Sequence, residues 1–362
     1  PVCGPARMAM LSGRPPHETR TFMNNDILPS HIPTYANALA AHGVDTALAG
    51  RLHAMGPDQM RGFARRLVGD HSPAWPGVAR HDMGILRRTH GPNRISLERS
   101  GAGNSAYQNL DEASRDAAIA ELEARAARLR AGETRPFFLK VGFMLPHPPF
   151  VARAEDYARF EGRVPPPRQP APPNDEHPYL AWWRRNREIE TVPPDERDRS
   201  RAAFYGLVHR LDRYVDALLG ALDRLGLADD TLVVYASDHG EHLGERGLWW
   251  KHTFFEEAVK VPLLMRWPGR LPAGARRGQL VDLLEPLPKG VRKDALSFLQ
   301  QMDPKGLKTF LNATKGLPAE ELGRALKAMG KMGIDGKALG KCFQMADPYR
   351  TFKLANMRDS MF

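Results

Sequence analysis

The stretch DEASRDAAIAELEARAARLRAGETRPFFLKVGF, residues 111–143, joins a helical pattern to a short apolar strand. Apolar residues recur at helical spacing through 111–131, and the run 137–143 has the length and apolar content of a buried strand. The same order recurs downstream, where a helical pattern over 200–226 precedes a strand over 231–237. Repeated helix-then-strand order predicts an α/β fold with a mostly parallel central sheet and helices on both faces.

Two shorter segments extend this alternation toward the N-terminus. Residues 33–42 are predicted to form a short helix entered through Pro33-Thr34, and residues 44–49 a buried strand between two glycines. Segment 160–199 interrupts the pattern with six prolines among residues 165–173, followed by charged residues. We expect an irregular surface insertion there.

Composition narrows the class of protein. Of the 362 residues, 42% are hydrophobic and 26% charged, which is typical of a globular chain and excludes wholesale disorder. The two cysteines, Cys3 and Cys342, exclude a disulfide framework and predict a reducing, cytoplasmic location. Because no apolar run approaches ~18 residues, we expect no membrane span. The net charge of +10 is spread along the chain, which favours a small anionic substrate over nucleic acid.

The composition changes near residue 281. Residues 1–281 contain 35 Arg and 3 Lys, whereas residues 282–362 contain 10 Lys and 4 Arg. We therefore predict a core unit over 1–281 and a separate small helical segment, rich in Lys and Met, over 282–362. Nothing in the second segment indicates its role.

Polar residues follow two of the predicted strands directly. His147 follows the strand 137–143, and Asp238 follows the strand 231–237. Since ligands of parallel α/β sheets bind beyond the carboxyl ends of the strands, these residues are candidates for one site. Taken singly, a loop histidine or a buried cysteine such as Cys3 is equally consistent with a structural role.

Four segments taken together resemble the sulfatase family. The first, PVCGPARMAMLSGR, contains a Cys-x-Pro-x-Arg pattern; the others are HGVDTALAGRLHAMGPDQMRGF, FMLPHPPF and SDHGEHLGERGLWWKHTFFEEAVKVPLLMRWP, which begin at residues 1, 42, 143 and 237 respectively. The second and fourth are most similar to choline sulfatases. The resemblance implies an alkaline-phosphatase/sulfatase-like fold for the core.

The resemblance also implies the cofactors. In the family the cysteine is oxidised to formylglycine, which here would be Cys3 and would require a formylglycine-generating enzyme or an equivalent partner. A divalent metal is implied at Asp238, His239 and the modified Cys3. Carboxylate oxygens suit a hard cation, so we expect Ca²⁺, with Mn²⁺ and Mg²⁺ as alternatives.

Further roles follow by position. The resemblance implies catalytic roles for Cys3, Arg7, His53, His147 and Lys251, and substrate contacts from Asn24, Arg51 and Trp250. The family has Lys where this chain has Arg51, so a planar guanidinium replaces a compact ammonium group. The ring of Trp250 is predicted to offer a face to a quaternary ammonium, although core packing is the alternative.

These features predict a sulfuric ester hydrolase acting on a small organic sulfate monoester such as choline-O-sulfate. By resemblance, the hydrated aldehyde attacks sulfur and expels the alcohol, which divides one difficult step into two. One alternative is a phosphonate monoester or phosphodiester hydrolase of the same superfamily. The other is a non-catalytic core that serves as a scaffold or binding module. The resemblance also allows assembly into a homo-oligomer.

One feature of the family has no counterpart in the sequence. The resemblance implies a strand ending in Asp-Asp or Asp-Gln before the cysteine, and these 362 residues contain none in that position. We expect the first strand of the core to be missing and this chain to be weakly active or inactive by itself.

Overall fold

The computed structural model describes residues 1–70, 86–169 and 177–278, and it has the predicted α/β architecture. Its helices are α1 Cys3–Ser12, α2 Pro16–Thr19, α3 Tyr35–Ala41, α4 Ile95–Glu98, α5 Ala106–Arg130, α6 Ala154–Tyr157, α7 Pro178–Asn186, α8 Pro194–Arg224 and α9 Glu256–Val259. Its strands are β1 Asp45–Gly50, β2 Arg65–Val68, β3 Gly101–Ala102, β4 Phe137–Gly142, β5 Val151–Ala152, β6 Val233–Ala236 and β7 Leu263–Arg266.

The largest sheet is parallel, as the sequence predicted. Its order is β2-β1-β4, and β1 pairs with β4 in unbroken register from Asp45 opposite Phe137 to Gly50 opposite Gly142. Both strands lie within one residue of their predicted bounds. Parallel pairing brings the carboxyl ends of β1 and β4 to the same edge, where the loops that carry Arg51 and His147 begin.

Helices cover both faces of this sheet, and β4 contributes apolar residues to each face. Phe138 packs on one face, with its ring 5.5 Å from that of Tyr35 at the start of α3. Phe137 and Leu139 pack on the other face against apolar residues of α5 and α8. These three side chains are partly buried, so each contributes less than the roughly 1.5–3 kcal/mol of a fully buried one, and together they help to hold the sheet in place.

The two long helices begin earlier than their periodicity predicted. Helix α5 begins at Ala106 and α8 at Pro194, whose missing N–H suits the first turn of a helix. The prediction of irregular structure over 160–199 is therefore wrong in part, because α7 and the first turn of α8 lie within it. Residues 170–176 of that segment lie outside the described residues.

The last predicted strand, β6, does not pair in parallel as the sequence predicted. Strand β6 pairs antiparallel with β7, with Ala236 opposite Leu263, and makes no ladder with β4 in the described part of the chain. Two further short strands, β3 and β5, pair in parallel. The carboxyl end of β6 leads directly into Asp238 and His239.

Glycines allow β1 and β4 to end in close contact. Gly50 has a φ of +80°, which glycine adopts without strain. A Cβ at Gly142 would lie 1.9 Å from the carbonyl oxygen of Arg51, whose N–H donates to Gly142 O at 2.8 Å. The two loops thus leave the sheet side by side.

The predicted boundary near residue 281, the segment 282–362 and Cys342 lie outside the described residues, so the two-part organisation stays a prediction. Within the described ranges, no helix combines the length and the apolar character that crossing a bilayer requires.

Candidate active site

Helix α1 presents Cys3 and Arg7 on one side, because residues four apart lie one turn apart. Cys3 is the first helical residue and is fully buried. The N–H of Gly4 donates to Asn24 Oδ1 at 2.8 Å, so the loop that carries Asn24 lies over the first turn of α1. A helix N-terminus stabilises negative charge, which favours a thiolate or a bound anion at this position.

The end of β6 meets this turn of α1. Cys3 Sγ lies 3.0 Å from Nε2 of His239, and Arg7 Nε donates to Asp238 Oδ2 at 2.7 Å. These pairs are 236 and 231 residues apart in sequence. Folding therefore brings together the four residues that the sequence placed in one site.

The donors of Cys3, Asp238 and His239 fit a metal ion. One donor atom from each residue lies within 4.8 Å of the others. Since Ca–O distances are about 2.3–2.6 Å, one cation can reach all three donors. Arg7 occupies Asp238 Oδ2, whereas Oδ1 faces His239. The thiol sulfur of Cys3 stands where an oxygen of formylglycine would lie in a converted chain.

Hydrogen-bond partners fix the tautomers of two imidazoles. His239 Nδ1 lies 2.8 Å from Gly240 O, and His147 Nδ1 lies 2.7 Å from Pro148 O. A carbonyl only accepts, so each Nδ1 carries the hydrogen and each Nε2 presents a lone pair. This tautomer of His239 is the one a metal ligand needs. His147 Nε2 accepts from Lys251 Nζ at 3.4 Å.

The protonation state of His147 depends on its burial and on the neighbouring Lys251. Burial and the neighbouring charge of Lys251 lower the pKa of His147 to about 3. Its imidazole is neutral at physiological pH and accepts hydrogen bonds at the site, while Lys251 supplies the positive charge.

Positive charges control the ionisation of Cys3 and Asp238. Burial by itself raises the pKa of the Cys3 thiol, but the charges of Lys251 and Arg51 bring that pKa well below its ordinary value. Burial likewise opposes the ionisation of Asp238, but Arg7 holds the pKa of its carboxyl well below the usual range. The cations keep Asp238 anionic at neutral pH and favour loss of the hydrogen that Cys3 Sγ shares with His239 Nε2.

Arg51 and His53 follow β1 into the same site. Arg51 Nη2 donates to His53 Nδ1 at 3.3 Å, which leaves the hydrogen of neutral His53 on Nε2. Burial, then the charge of Arg51, lowers the pKa of His53 to about 4. Arg51 Nε is buried and donates to no atom of the described residues. An anion that accepts from this donor would remove the cost of leaving it unpaired.

Two carboxylates to which the sequence assigned no specific role hold the loops of the site. Asp70 Oδ2 accepts from the N–H groups of Leu52 and His53 at 3.1 and 2.5 Å. These bonds hold His53 at a φ of +62°, which is unfavourable for a residue with a Cβ. Glu241 Oε1 accepts from the N–H groups of Leu243 and Trp250 and so holds the loop before Lys251.

Glu241→Ala is expected to lower the free energy of unfolding by about 2–3 kcal/mol, because two buried backbone N–H groups lose their acceptor. Urea denaturation at neutral pH measures the change. The matched control is Glu256→Ala, which removes an exposed carboxylate 3.7 Å from Lys260 Nζ and should change stability by less than about 0.5 kcal/mol. Equal effects of the two substitutions would contradict the assignment of Glu241.

Trp250 does not lie where the sequence placed it. Its ring is 1% exposed and packs in the largest hydrophobic cluster, while Nε1 donates to Ser96 Oγ at 3.3 Å. The prediction that Trp250 offers a face to the substrate finds no support in this placement, whereas the alternative of core packing describes it well. Asn24, Arg51 and Lys251 do lie around Cys3, and their functional roles stay predictions.

The free energy of unfolding is expected to fall on acidification because of His242. This residue is 0% exposed, and its Nε2 is hydrogen-bonded to Thr253 Oγ1 at 2.7 Å. Burial lowers the pKa of His242 to about 4. Between pH 6.5 and 4 the unfolded chain therefore binds a proton that the folded chain does not. The loss is about 1.4 kcal/mol per pH unit in that window and is absent above it.

Urea denaturation at pH 7.5, 6, 5 and 4 checks this expectation. His242→Gln should give a shallower decline than the parent chain, and His31→Gln, at an exposed position, should leave the decline unchanged. A parent profile that is flat from pH 7 to 4, or a decline that His242→Gln does not reduce, would contradict the expected burial of a neutral imidazole.

This chain is similar in sequence to known proteins. The family model described as Sulfatase matches residues 1–288. The choline-sulfatase of Rhizobium meliloti (strain 1021) is 34% identical over 283 residues, which cover 75% of this chain and 54% of that protein. The multifunctional alkaline phosphatase superfamily protein PehA of Trinickia caryophylli is 29% identical over 308 residues, with coverages of 74% and 58%. The chain spans about half the length of these relatives.

A solved structure shares the fold. The phosphonate monoester hydrolase SpPMH from Silicibacter pomeroyi matches with a TM-score of 0.54 at 24% identity, over 75% of this chain and 60% of that one. This likeness supports the α/β architecture predicted from the sequence.

Proposed function

Because this chain belongs to the sulfatase family, we propose that it hydrolyses a small organic sulfate monoester at the site around Cys3. The observation that carries the proposal is the pair of contacts between α1 and the end of β6: Cys3 with His239 at 3.0 Å and Arg7 with Asp238 at 2.7 Å. They assemble a nucleophile position, a carboxylate and an imidazole in one buried site.

The residues also fit the groups that the family uses. Asp238, His239 and the residue at position 3 would hold a divalent cation, for which Ca²⁺ is the first candidate and Mn²⁺ and Mg²⁺ are alternatives. When present, such a cation polarises the sulfate oxygens, and a formylglycine at position 3 provides a hydroxyl nucleophile. A formylglycine-generating enzyme or an equivalent would make that modification.

The side chains around Cys3 supply a cradle for a sulfate dianion. Lys251 and Arg51 contribute fixed positive charges, and Arg51 Nε is a buried donor without a partner in the described ranges. Charge that develops on sulfate oxygens during hydrolysis would meet donors that are already oriented.

Two neutral imidazoles complete the proposed machinery. His53 carries its hydrogen on Nε2 and can donate a proton or a hydrogen bond to an oxygen of the reacting group. His147 presents a lone pair at Nε2 and accepts from Lys251, which orients the ammonium toward the anion. Arg7 keeps Asp238 ionised and fixed, so that its second oxygen is available to a cation.

The alcohol part of the substrate is proposed to be small, with choline-O-sulfate as the first compound to test. The support is the 34% identity to a choline-sulfatase. The buried position of Trp250 means that an ammonium group would need another partner. Assays should therefore include an aryl sulfate beside choline-O-sulfate.

Parallel assays of the full chain, co-expressed with a formylglycine-generating enzyme, test the proposal. Sulfate release from choline-O-sulfate and an aryl sulfate is compared with hydrolysis of a phosphonate monoester and a phosphodiester at equal concentrations. Faster sulfate release supports the proposal, and faster phosphonate or phosphodiester hydrolysis contradicts it. Calorimetric titration with Ca²⁺ is run in parallel, because a non-catalytic core is expected to bind none at this site.

A further inference from the structure

The carboxylate of Asp111, on α5, holds the backbone of the turn that carries His147. The N–H of Met144 donates to Asp111 Oδ1 at 2.7 Å and to Oδ2 at 3.0 Å, and the N–H of Leu145 donates to Oδ2 at 2.9 Å. The carbonyl of Met144 in turn accepts from the N–H of His147 at 2.9 Å. Met144 therefore links the Asp111 carboxylate to the backbone of His147.

The same face of α5 also supports the imidazole ring. Tyr107 lies one helical turn before Asp111, and its ring packs edge-on against that of His147 with centroids 5.9 Å apart. Gln108, next to Tyr107, donates from Nε2 to Val151 O at the far end of the turn. One helix face thus fixes the backbone and the ring of His147 together.

Burial of the Asp111 carboxylate costs free energy of folding. It is 0% exposed, and in the described part of the chain its hydrogen bonds come from backbone N–H groups alone. Burial raises the pKa of Asp111 to about 7, although Arg51 and Arg7 favour its charge from a distance. Titratable groups with strongly shifted pKa values in buried surroundings are found more often at functional sites than in ordinary cores.

We propose that Asp111 is a positioning residue, whose carboxylate fixes the Met144–Leu145 backbone and so holds His147 Nε2 against Cys3 and Lys251. The inference rests on the proposed function only insofar as His147 acts there in hydrolysis. The physical link between Asp111 and His147 can be measured without turnover.

Asp111→Asn is the sharpest variant, because it keeps the size of the side chain but has only one oxygen. Its NH₂ group would face a backbone N–H that now donates to a carboxylate oxygen. Amide hydrogen exchange of Met144 and Leu145 and ¹⁵N NMR of the His147 ring are measured on the full chain. We expect exchange at least about tenfold faster in the variant, and a change of the His147 signals from the Nδ1–H tautomer to a mixture.

The matched control is Glu112→Gln, the same chemical change at the next residue. Glu112 pairs with Arg153 at 2.9 Å and accepts from the hydroxyl of Tyr214 at 3.2 Å, away from the Met144–Leu145 backbone, so its replacement should leave both readouts as in the parent chain. In the assay for sulfate release, Asp111→Asn should lower kcat about tenfold with KM little changed. Glu112→Gln should change neither constant.

Several results would overturn the proposal. Fast exchange of the Met144 and Leu145 amides in the parent chain would show that the carboxylate does not hold them, and this measurement stands even where Asp111→Asn fails to fold. Equal readouts for Asp111→Asn and Glu112→Gln would do the same. A parent chain without sulfate release, but with protected amides and a single His147 tautomer, would count against the proposed function and support the role of Asp111.

Discussion

Replacing Cys3 by alanine is expected to lower sulfate release by about 10³-fold or more, because loss of a nucleophile removes the reaction path it opens. Within the described ranges, Cys3 is the only candidate nucleophile that lies beside Asp238 and His239, the candidate metal ligands at the end of β6. The measurement is initial-rate sulfate release at saturating choline-O-sulfate. Mass spectrometry of the N-terminal peptide establishes the converted fraction of the parent protein.

A control on folding accompanies this substitution. Cys3 is fully buried at the start of α1, so the loss of its sulfur should cost about 1 kcal/mol of stability and leave the fold intact. Thermal denaturation verifies that the variant is folded. Full sulfate release by folded Cys3→Ala would remove Cys3 from the mechanism.

Asp238→Asn is expected to have the second largest effect, on metal affinity and on stability alike. The substitution removes the negative charge beside Arg7 and leaves a largely buried cation without a counter-charge. Such a loss typically costs about 3–5 kcal/mol. Affinity for Ca²⁺ should fall by about 100-fold or more, since changes to residues that only support metal ligands already cost 10–100-fold.

Calorimetric titration with Ca²⁺ and urea denaturation of the metal-free protein measure the two effects. The matched control is Asp223→Asn, which breaks an exposed ion pair with Arg266 at 2.8 Å. That substitution should change stability by less than about 1 kcal/mol and leave Ca²⁺ binding unaltered. Unchanged Ca²⁺ affinity in Asp238→Asn would exclude Asp238 as a ligand.

The sequence predicted most helices and strands well, because burial of an element makes its apolar residues recur at a characteristic spacing. β4 carries apolar residues on both faces, and the sequence shows this as a mostly apolar run, interrupted by Lys140, that indicates a parallel strand. The helix over 111–131 was recognised from its spacing, but its start at Ala106 was not, since helix boundaries are the least reliable part of a prediction from spacing. The antiparallel pairing of β6 depends on a partner strand that local sequence does not reveal.

The candidate site was predictable where a motif fixes several residues at once. Cys3 and Arg7 share one helix, and Asp238 and His239 share one strand end, so only one long-range contact was needed to join them. Trp250 was misplaced because a motif does not tell which way a side chain points. Asp70 and Asp111 were missed, and Glu241 received no specific role, for a related reason, since a buried carboxylate and a solvated one look alike in a sequence.

A crystal structure of the converted full chain with Ca²⁺ and sulfate would test most directly whether this cluster is the centre of the proposed chemistry. We expect one cation in contact with a carboxylate oxygen of Asp238 and with Nε2 of His239, and one sulfate between residue 3 and Lys251. A cation bound elsewhere, together with an empty space beside Asp238 and His239, would contradict the assignment.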